Sequence, residues 1–141
     1  MAAFYHVDAA FHDPVFGKLS GGRVKGMWRM LVEKGGGKIN VSFHDIQEDG
    51  DQVTARWQAE YLFSSTGRMV VNKVSTRFSF EGEKIILHAD SFSFWKWAGM
   101  ALGMPGKLLG WTPLFKNKVR KRSLVMLEKF EQKIKTDEAK Q

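Results

Sequence analysis

Hydrophobic and polar residues alternate with a period of two through the middle of the chain, between residues 39 and 94. The hydrophobic positions of a strand with one buried face recur about every two residues, whereas those of an amphipathic helix recur about every 3.6 residues. Turn-forming residues divide the stretch at Asp49-Gly50, Ser65-Thr66-Gly67 and Glu81-Gly82-Glu83, and Asp-Gly favours the positive φ of hairpin turns. The pattern therefore predicts a meander of four antiparallel strands over residues 39–43, 53–63, 69–80 and 85–94.

The segment before the meander predicts a strand and a helix. Ala9–Asp13 is a short apolar strand that ends at Pro14, because proline cannot continue a strand ladder. We expect a loop over Gly17–Gly22. Arg23–Lys34 carries apolar residues at helical spacing and is followed by Gly35-Gly36-Gly37, which is typical of a helix end. For residues 1–5 we expect either the last turn of a helix or the beginning of a sequence whose natural preceding segment is missing.

The segment after the meander changes in composition. Residues 95–105 are apolar and rich in glycine, but Lys96 and Pro105 interrupt them, and a membrane-spanning helix needs about 20 apolar residues. Thr112-Pro113 opens a long basic helix that we expect to end near Lys135. We therefore expect two units: an α+β domain over residues 1–94, and over residues 95–141 an apolar segment with a basic amphipathic helix packed on that domain.

The positive charge lies in this last segment. The 141 residues carry a net charge of +7 and no cysteine, which excludes a disulfide framework and thiol chemistry. Basic and acidic residues balance, 11 against 11, as far as Phe92, and number 11 against 4 from Ser93 onward. We therefore expect no nucleic-acid partner for the sheet. The first residues show no signal-peptide pattern, so a cytoplasmic location is expected.

Neither a cofactor nor a metal ion is predicted. Nucleotide-binding and zinc-protease patterns are absent from the sequence. His6, Asp8, His12 and Asp13 could offer imidazole and carboxylate groups to iron or zinc, but their spacing matches no established ligand pattern. Strand alternation also places His12 and Asp13 on opposite faces.

Three stretches of sequence carry a family resemblance. Phe4–Val15, Tyr61–Arg68 and Gly82–Ile86 are similar to segments of the nuclear transport factor 2-like superfamily, in its branch of ketosteroid isomerases and SnoaL-like polyketide cyclases. The resemblance covers Phe4 to Phe94. It implies an α+β, cystatin-like fold in which a curved, mostly antiparallel sheet forms a cone with helices on its concave face. It further implies an apolar conical pocket and a homodimer.

The sequence departs from the isomerases at two catalytic groups. In those enzymes a helix before the first strand supplies the tyrosine that binds the oxyanion, and we expect no counterpart of that tyrosine here. Their second oxyanion donor, a protonated aspartic acid, corresponds to Thr76. Their general base corresponds to Asp13, which is retained.

If the pocket follows the isomerase pattern, Asp13, His88 and Asp90 are its titratable groups and the candidate catalytic residues. A carboxylate that faces apolar walls has a raised pKa, which suits proton transfer. Plainer roles stay open, since Asp before Pro often forms a turn, and the other two can be a neutral histidine and a carboxylate that is hydrogen-bonded within the sheet. Trp57 and Tyr61 can likewise be core or dimer-interface residues. The candidate ligand-binding residues are Trp57, Tyr61, Asn72, Thr76, Phe78 and Phe92.

The expected function is the binding of a small apolar or polycyclic molecule, with proton transfer of the isomerase, dehydratase or cyclase type as the catalytic possibility. The alternative is a non-catalytic module that contacts a protein or a membrane surface through the basic C-terminal helix. We favour packing of that helix on the domain, because the sheet needs cover.

Overall fold

A curved six-stranded sheet with four helices forms the framework of the protein. The computed structural model describes residues 2–36 and 38–141, so the parts of the predictions that concern Met1 and Gly37 fall outside the described residues. A single 3-10 turn, Ala2–Phe4, precedes the first strand. The strands are β1 (Tyr5–Asp13), β2 (Gly17–Ser20), β3 (Asn40–Asp49), β4 (Gln52–Phe63), β5 (Arg68–Glu81) and β6 (Lys84–Ser91). The helices are α1 (Gly22–Lys34), α2 (Phe94–Leu102), α3 (Met104–Leu109) and α4 (Pro113–Ala139).

The strands lie in the order β2-β1-β6-β5-β4-β3. The β1–β6 pair is parallel, and the other neighbours are antiparallel. The predicted α+β fold with a curved, mostly antiparallel sheet is confirmed. The parallel pair is the part that matters for the site, because it places the first strand of the chain beside the last one.

The prediction of a loop over Gly17–Gly22 was wrong, because this segment contains β2. The strand has only four residues and pairs with β1 through a tight turn, with Asp13 opposite Gly17. The first strand is also longer than predicted and begins at Tyr5 instead of Ala9. A register shift between Tyr5 and Ala10 interrupts its alternation, which explains why the strand pattern was visible only from Ala9 onward.

Strand β3 lies at the edge of the sheet and is exposed along its whole length. It continues beyond the predicted end at Phe43, because a bulge between His44 and Gln47 lets the pairing with β4 resume. Asp45 in this bulge has a φ of 52°, in the left-handed region that Asp tolerates better than most residues.

The hydrophobic core lies between the sheet and the helices. α1 contributes Val24, Met27 and Met30. α2 contributes two large aromatic residues, Phe94 and Trp97, and two small ones, Ala98 and Ala101. A fully buried apolar side chain stabilises the fold by about 1.5–3 kcal/mol. The core cluster therefore draws stability from residues on both sides of Phe94.

Helix α4 packs against α1. Leu127 of α4 is fully buried in the core cluster, and Phe115, Val119 and Phe130 pack against that cluster. Arg23 of α1 also forms an ion pair of 3.5 Å with Glu131. Arg120, in the first half of α4, donates to the Pro14 carbonyl, so this part of the helix lies near the end of β1, where Asp13 is.

Candidate functional site

Three buried polar side chains form a chain of hydrogen bonds inside the protein. The Tyr5 hydroxyl lies 2.6 Å from Nδ1 of His88, and Nε2 of His88 lies 2.7 Å from Oδ1 of Asp90. Their exposed fractions are 3%, 2% and 6%. Tyr5 begins β1, whereas His88 and Asp90 share one face of β6. The parallel pairing of β1 with β6 thus brings together residues from the two ends of the sheet domain.

The two hydrogen bonds of His88 fit one assignment of donors and acceptors. Burial raises the pKa of Tyr5, so the phenol keeps its proton and donates a hydrogen bond to Nδ1 of His88. His88 then carries its proton on Nε2 and donates to the Asp90 carboxylate. The Trp28 indole nitrogen partly offsets the rise in the pKa of Tyr5, although its geometry falls short of a hydrogen bond.

Aromatic rings enclose the imidazole of His88. Trp28 of α1 stacks on it with centroids 5.7 Å apart, Phe11 of β1 meets its edge at 5.0 Å, and Phe78 of β5 lies 4.5 Å away. Stacked and edge-on rings at these distances are favourable arrangements. The enclosure holds the imidazole in one orientation, and the hydrogen bond to Asp90 is buried.

Asp13 ends β1 and combines two properties that the sequence left as alternatives. Its Oδ1 accepts hydrogen bonds from the backbone N–H groups of Val15 (2.9 Å) and Phe16 (2.6 Å), so it does form the turn before β2. It is also buried, and this desolvation raises the pKa of Asp13 to about 7. The bond from Phe16 opposes that rise.

Charged groups from other elements act on Asp13. The Asp90 carboxylate raises the pKa of Asp13, and the Arg120 guanidinium of α4 lowers it. Arg120 reaches this corner by donating to the Pro14 carbonyl at 3.3 Å. Asp13 in turn contributes, after burial, to the raised pKa of Tyr61, whose hydroxyl accepts a 2.9 Å bond from Trp97. Groups on β1, β4, β6 and α4 therefore share one electrostatic environment.

A match to a family model identifies the protein family of the chain. The model for the SnoaL-like domain matches residues 1–88. The chain belongs to the SnoaL-like domain family. The resemblance to the nuclear transport factor 2-like superfamily, stated from the sequence, is thereby confirmed.

Solved structures share the fold of this SnoaL-like protein. A protein with a ketosteroid isomerase-like fold from Catenulispora acidiphila DSM 44928, in complex with trimethylamine, has a TM-score of 0.62 and 18% identity over 79% of this chain and 84% of that chain. An NTF2-like protein from Anabaena variabilis ATCC 29413 has a TM-score of 0.57 and 23% identity over 64% and 70%. An LEH-like epoxide hydrolase from M. tuberculosis has a TM-score of 0.56 and 21% identity over 77% and 80%. A search of curated proteins finds no match.

The candidate ligand-binding residues of the SnoaL-like domain occupy different surroundings. Phe78 contacts His88, and Tyr61 lies within the electrostatic reach of Asp13. Trp57 stacks instead on the half-exposed Phe43 of β3, at 6.1 Å. The remaining three are buried or half-buried: Asn72, Thr76 and Phe92.

Two open grooves follow the sheet of this SnoaL-like protein. The larger, of about 980 Å³, lies between β5 and α2 and includes Asn72 among its lining residues. The smaller, of about 640 Å³, includes Thr76 and Asp90. Neither Asp13 nor His88 lines either of these two grooves. The conical pocket around all the candidate residues therefore stays a prediction.

The described residues contain no group of three or more side chains that could hold a metal ion. His12 is exposed while Asp13 is buried, as their alternation in β1 requires. Within the same ranges, no helix is long and apolar enough to span a bilayer.

Three residues of the site were missed in the sequence. Tyr5 lies on the far side of the register shift in β1, so the strand pattern did not extend to it. Trp28 is one of the apolar residues at helical spacing in α1, and no signal in the sequence indicated that its ring covers His88. Arg120 belongs to a run of basic residues in which no local signal distinguishes the one that reaches Pro14.

Proposed function

We propose that this SnoaL-like protein binds a small apolar or polycyclic molecule on the concave face of its sheet and transfers a proton to or from it through Asp13. The observation that carries the proposal is the placement of the Asp13 carboxyl. It is buried, it lies within reach of a second carboxylate at Asp90, and its pKa is about 7. A carboxyl with a pKa near the working pH is best suited to general acid–base catalysis.

Asp13 is the group that exchanges the proton. Near pH 7 its acid and base forms are both populated, so it can take a proton from an activated carbon and return it to another position. Such a step is shared by isomerases, dehydratases and cyclases. The hydrogen bonds from Val15 and Phe16 leave Oδ2 of Asp13 as the oxygen that reacts.

His88 and Asp90 support Asp13 in this proposal. The Asp90 charge favours the protonated form of Asp13. His88 holds Asp90 in place through its Nε2–H, and Tyr5 holds His88. Since both imidazole nitrogens already have partners, His88 acts by positioning Asp90.

The surroundings of Asp13 favour an apolar ligand. Aromatic and aliphatic side chains form most of the concave face, among them Tyr61, Phe78 and Phe92, which would contact the ligand. The epoxide hydrolase and the trimethylamine complex among the structural neighbours support small-molecule chemistry on this fold. A homodimer and a cytoplasmic location remain predictions within the proposal.

Exchange of carbon-bound hydrogen for deuterium tests this function. The wild-type protein, incubated in D₂O with a panel of cyclic and polycyclic ketones, should introduce deuterium next to the carbonyl of at least one compound, detected by mass spectrometry. Asp13→Asn is the matched variant, because its amide oxygen can still accept from Val15 and Phe16. We expect it to bind the same compound in a thermal-shift assay and to lose exchange by at least about 100-fold.

The pH dependence provides the second readout. Exchange should rise with pH and level off above a midpoint near 7, because only the ionised form of Asp13 removes a proton. Exchange that Asp13→Asn leaves unchanged would contradict the proposal. The absence of both exchange and thermal shift across the whole panel would contradict it as well.

A further inference from the structure

Helix α3 packs against α2 through glycine backbone instead of through its leucines. A Cβ added at Gly106 would collide with the Ala98 carbonyl of α2, and one added at Gly110 would lie 3.1 Å from Cβ of Ala98 and 3.2 Å from the Trp95 ring. The missing side chains therefore let the two helices approach closely. In consequence the larger side chains of α3 face outward, and Leu108 is 63% exposed.

These outward side chains belong to a larger apolar surface, which we call the apolar patch. Trp95 is fixed to α3 because its Nε1 donates to the Lys107 carbonyl at 2.9 Å, and Nε1 of Trp111 donates to the Leu108 carbonyl at 3.0 Å. Both indole N–H groups are thus satisfied while their rings stay exposed. The patch consists of Trp95, Met104, Leu108, Leu109, Trp111 and Leu114, each 50–83% exposed.

The segment of sequence that carries the apolar patch has charges of one sign. No acidic residue occurs between Asp90 and Glu128, and this interval contains seven lysines and arginines. The groove between β5 and α2 borders the patch through Trp95 and Lys107. Its lining has an apolar part and four cations, Arg68, Lys73, Lys96 and Lys107, and includes no carboxylate.

We propose that the apolar patch docks the protein onto a lipid bilayer that contains anionic phospholipids. Exposed tryptophan and leucine side chains enter the boundary between headgroups and acyl chains, and neighbouring lysines attract anionic headgroups. Large exposed apolar side chains gathered in one segment of a protein mark a protein or membrane interaction site. The docking surface is formed by α2, α3 and the first turn of α4, and it is separate from the Asp13 site.

The charge distribution favours a bilayer over a second copy of the chain. Two copies that met through the apolar patch would bring like-charged lysines together, which opposes association. An anionic surface instead gains from Lys96 and Lys107 at the same time as the apolar side chains are buried. Docking also leaves Leu127 in the core, so it requires no unfolding of α4.

Vesicle co-sedimentation of the full chain tests the proposal. The protein should bind vesicles that contain phosphatidylserine, bind phosphatidylcholine vesicles more weakly, and dissociate from the former as salt increases. Leu108→Ser combined with Trp111→Ser should weaken binding by at least about tenfold at either salt concentration. Lys96→Glu combined with Lys107→Glu should weaken it by about fivefold or more per lysine at low salt.

Matched variants separate the patch from general charge and hydrophobicity. Lys133→Glu with Lys135→Glu makes the same charge change at exposed positions near the far end of α4, and Val32→Ser removes an exposed apolar side chain from α1. Both should keep vesicle binding within about twofold of wild type. All variants should melt like the wild type, since the altered side chains are exposed.

Three results would overturn the proposal. One is the absence of wild-type binding to phosphatidylserine vesicles. Another is binding that the patch variants leave unchanged. The third is a dimer in light scattering that Leu108→Ser with Trp111→Ser dissociates, without any vesicle binding, which would assign the patch to a second copy.

Discussion

The Tyr5 hydroxyl and Nδ1 of His88 lie 2.6 Å apart although 83 positions separate the two residues in sequence. Their contact depends on the parallel pairing of β1 with β6, which joins the first strand to the last. Through His88 the contact extends to Asp90, and the Asp90 charge acts on Asp13. A change at Tyr5 should therefore affect both the stability of the sheet and the properties of the site.

Replacing Tyr5 with Phe should destabilise the protein by about 1–3 kcal/mol, because Nδ1 of His88 is then a buried acceptor without its donor. Urea unfolding of both proteins measures this difference in the free energy of unfolding. Nitrogen NMR of the wild-type imidazole serves as the control and should show the proton on Nε2. A proton on Nδ1, or a variant as stable as the wild type, would refute the assigned bonding.

Replacing Asp13 with Asn should change how stability depends on pH. Because the pKa of Asp13 is raised in the fold, the folded state keeps this proton up to about pH 7 while the unfolded chain releases it near pH 4. Wild-type stability should therefore fall between about pH 4 and 7, by roughly 4 kcal/mol from this group, and then level off. The variant should lack this component.

The difference between the wild-type and Asp13→Asn unfolding curves isolates the effect of Asp13 from all other titrating groups. Above pH 7 the variant should be the more stable protein, since it buries no charge and keeps the acceptor for Val15 and Phe16. A variant that is less stable than the wild type at every pH would mean that Asp13 serves only the turn.

Replacing Leu127 with Ala tests how helix α4 is held. Leu127 is fully buried, so the substitution should cost about 2–5 kcal/mol in the free energy of unfolding. Leu114→Ala is the matched control, because the same change at an 83% exposed position of α4 should cost less than about 0.5 kcal/mol. Equal effects in chemical denaturation would show that α4 is not anchored at Leu127.

The protein should not act as a ketosteroid isomerase. Loss of one oxyanion donor typically lowers turnover by about 100- to 1,000-fold. By the family resemblance, Thr76 corresponds to the isomerases' protonated aspartic acid, and its hydroxyl donates to the Ala89 carbonyl at 3.4 Å. The Tyr5 hydroxyl is engaged by His88. Incubation with a Δ5-3-ketosteroid, followed by ultraviolet absorbance, should show no rapid isomerisation. Fast product formation would disprove this prediction.

The sequence revealed the fold to the extent that the fold is local. The meander was visible because alternation along β4 and β5 is set by one buried face. β2 was missed because a four-residue strand between two turns carries too few positions to show a period. The full extent of β3 was missed because its burial does not alternate, being exposed at every residue.

From sequence, residues of the site could be grouped together only where they lie on the same strand. His88 and Asp90 could be placed on one face from sequence because they lie two positions apart on β6. Tyr5 and Arg120 could not, since both reach the site through contacts between distant elements. Asp13 was found through the family resemblance, and its raised pKa depends on burial that no local pattern encodes.

Carbon NMR of the Asp13 carboxyl across a pH series tests the proposed role of this residue most directly. The wild-type protein, labelled at its aspartate carboxyl carbons and assigned by comparison with Asp13→Asn, should show one resonance that titrates with a midpoint near pH 7. That result would establish a carboxyl able to exchange a proton at neutral pH. A midpoint at or below the ordinary aspartate value of about 4 would show that Asp13 stays ionised, and would contradict the proposed proton transfer.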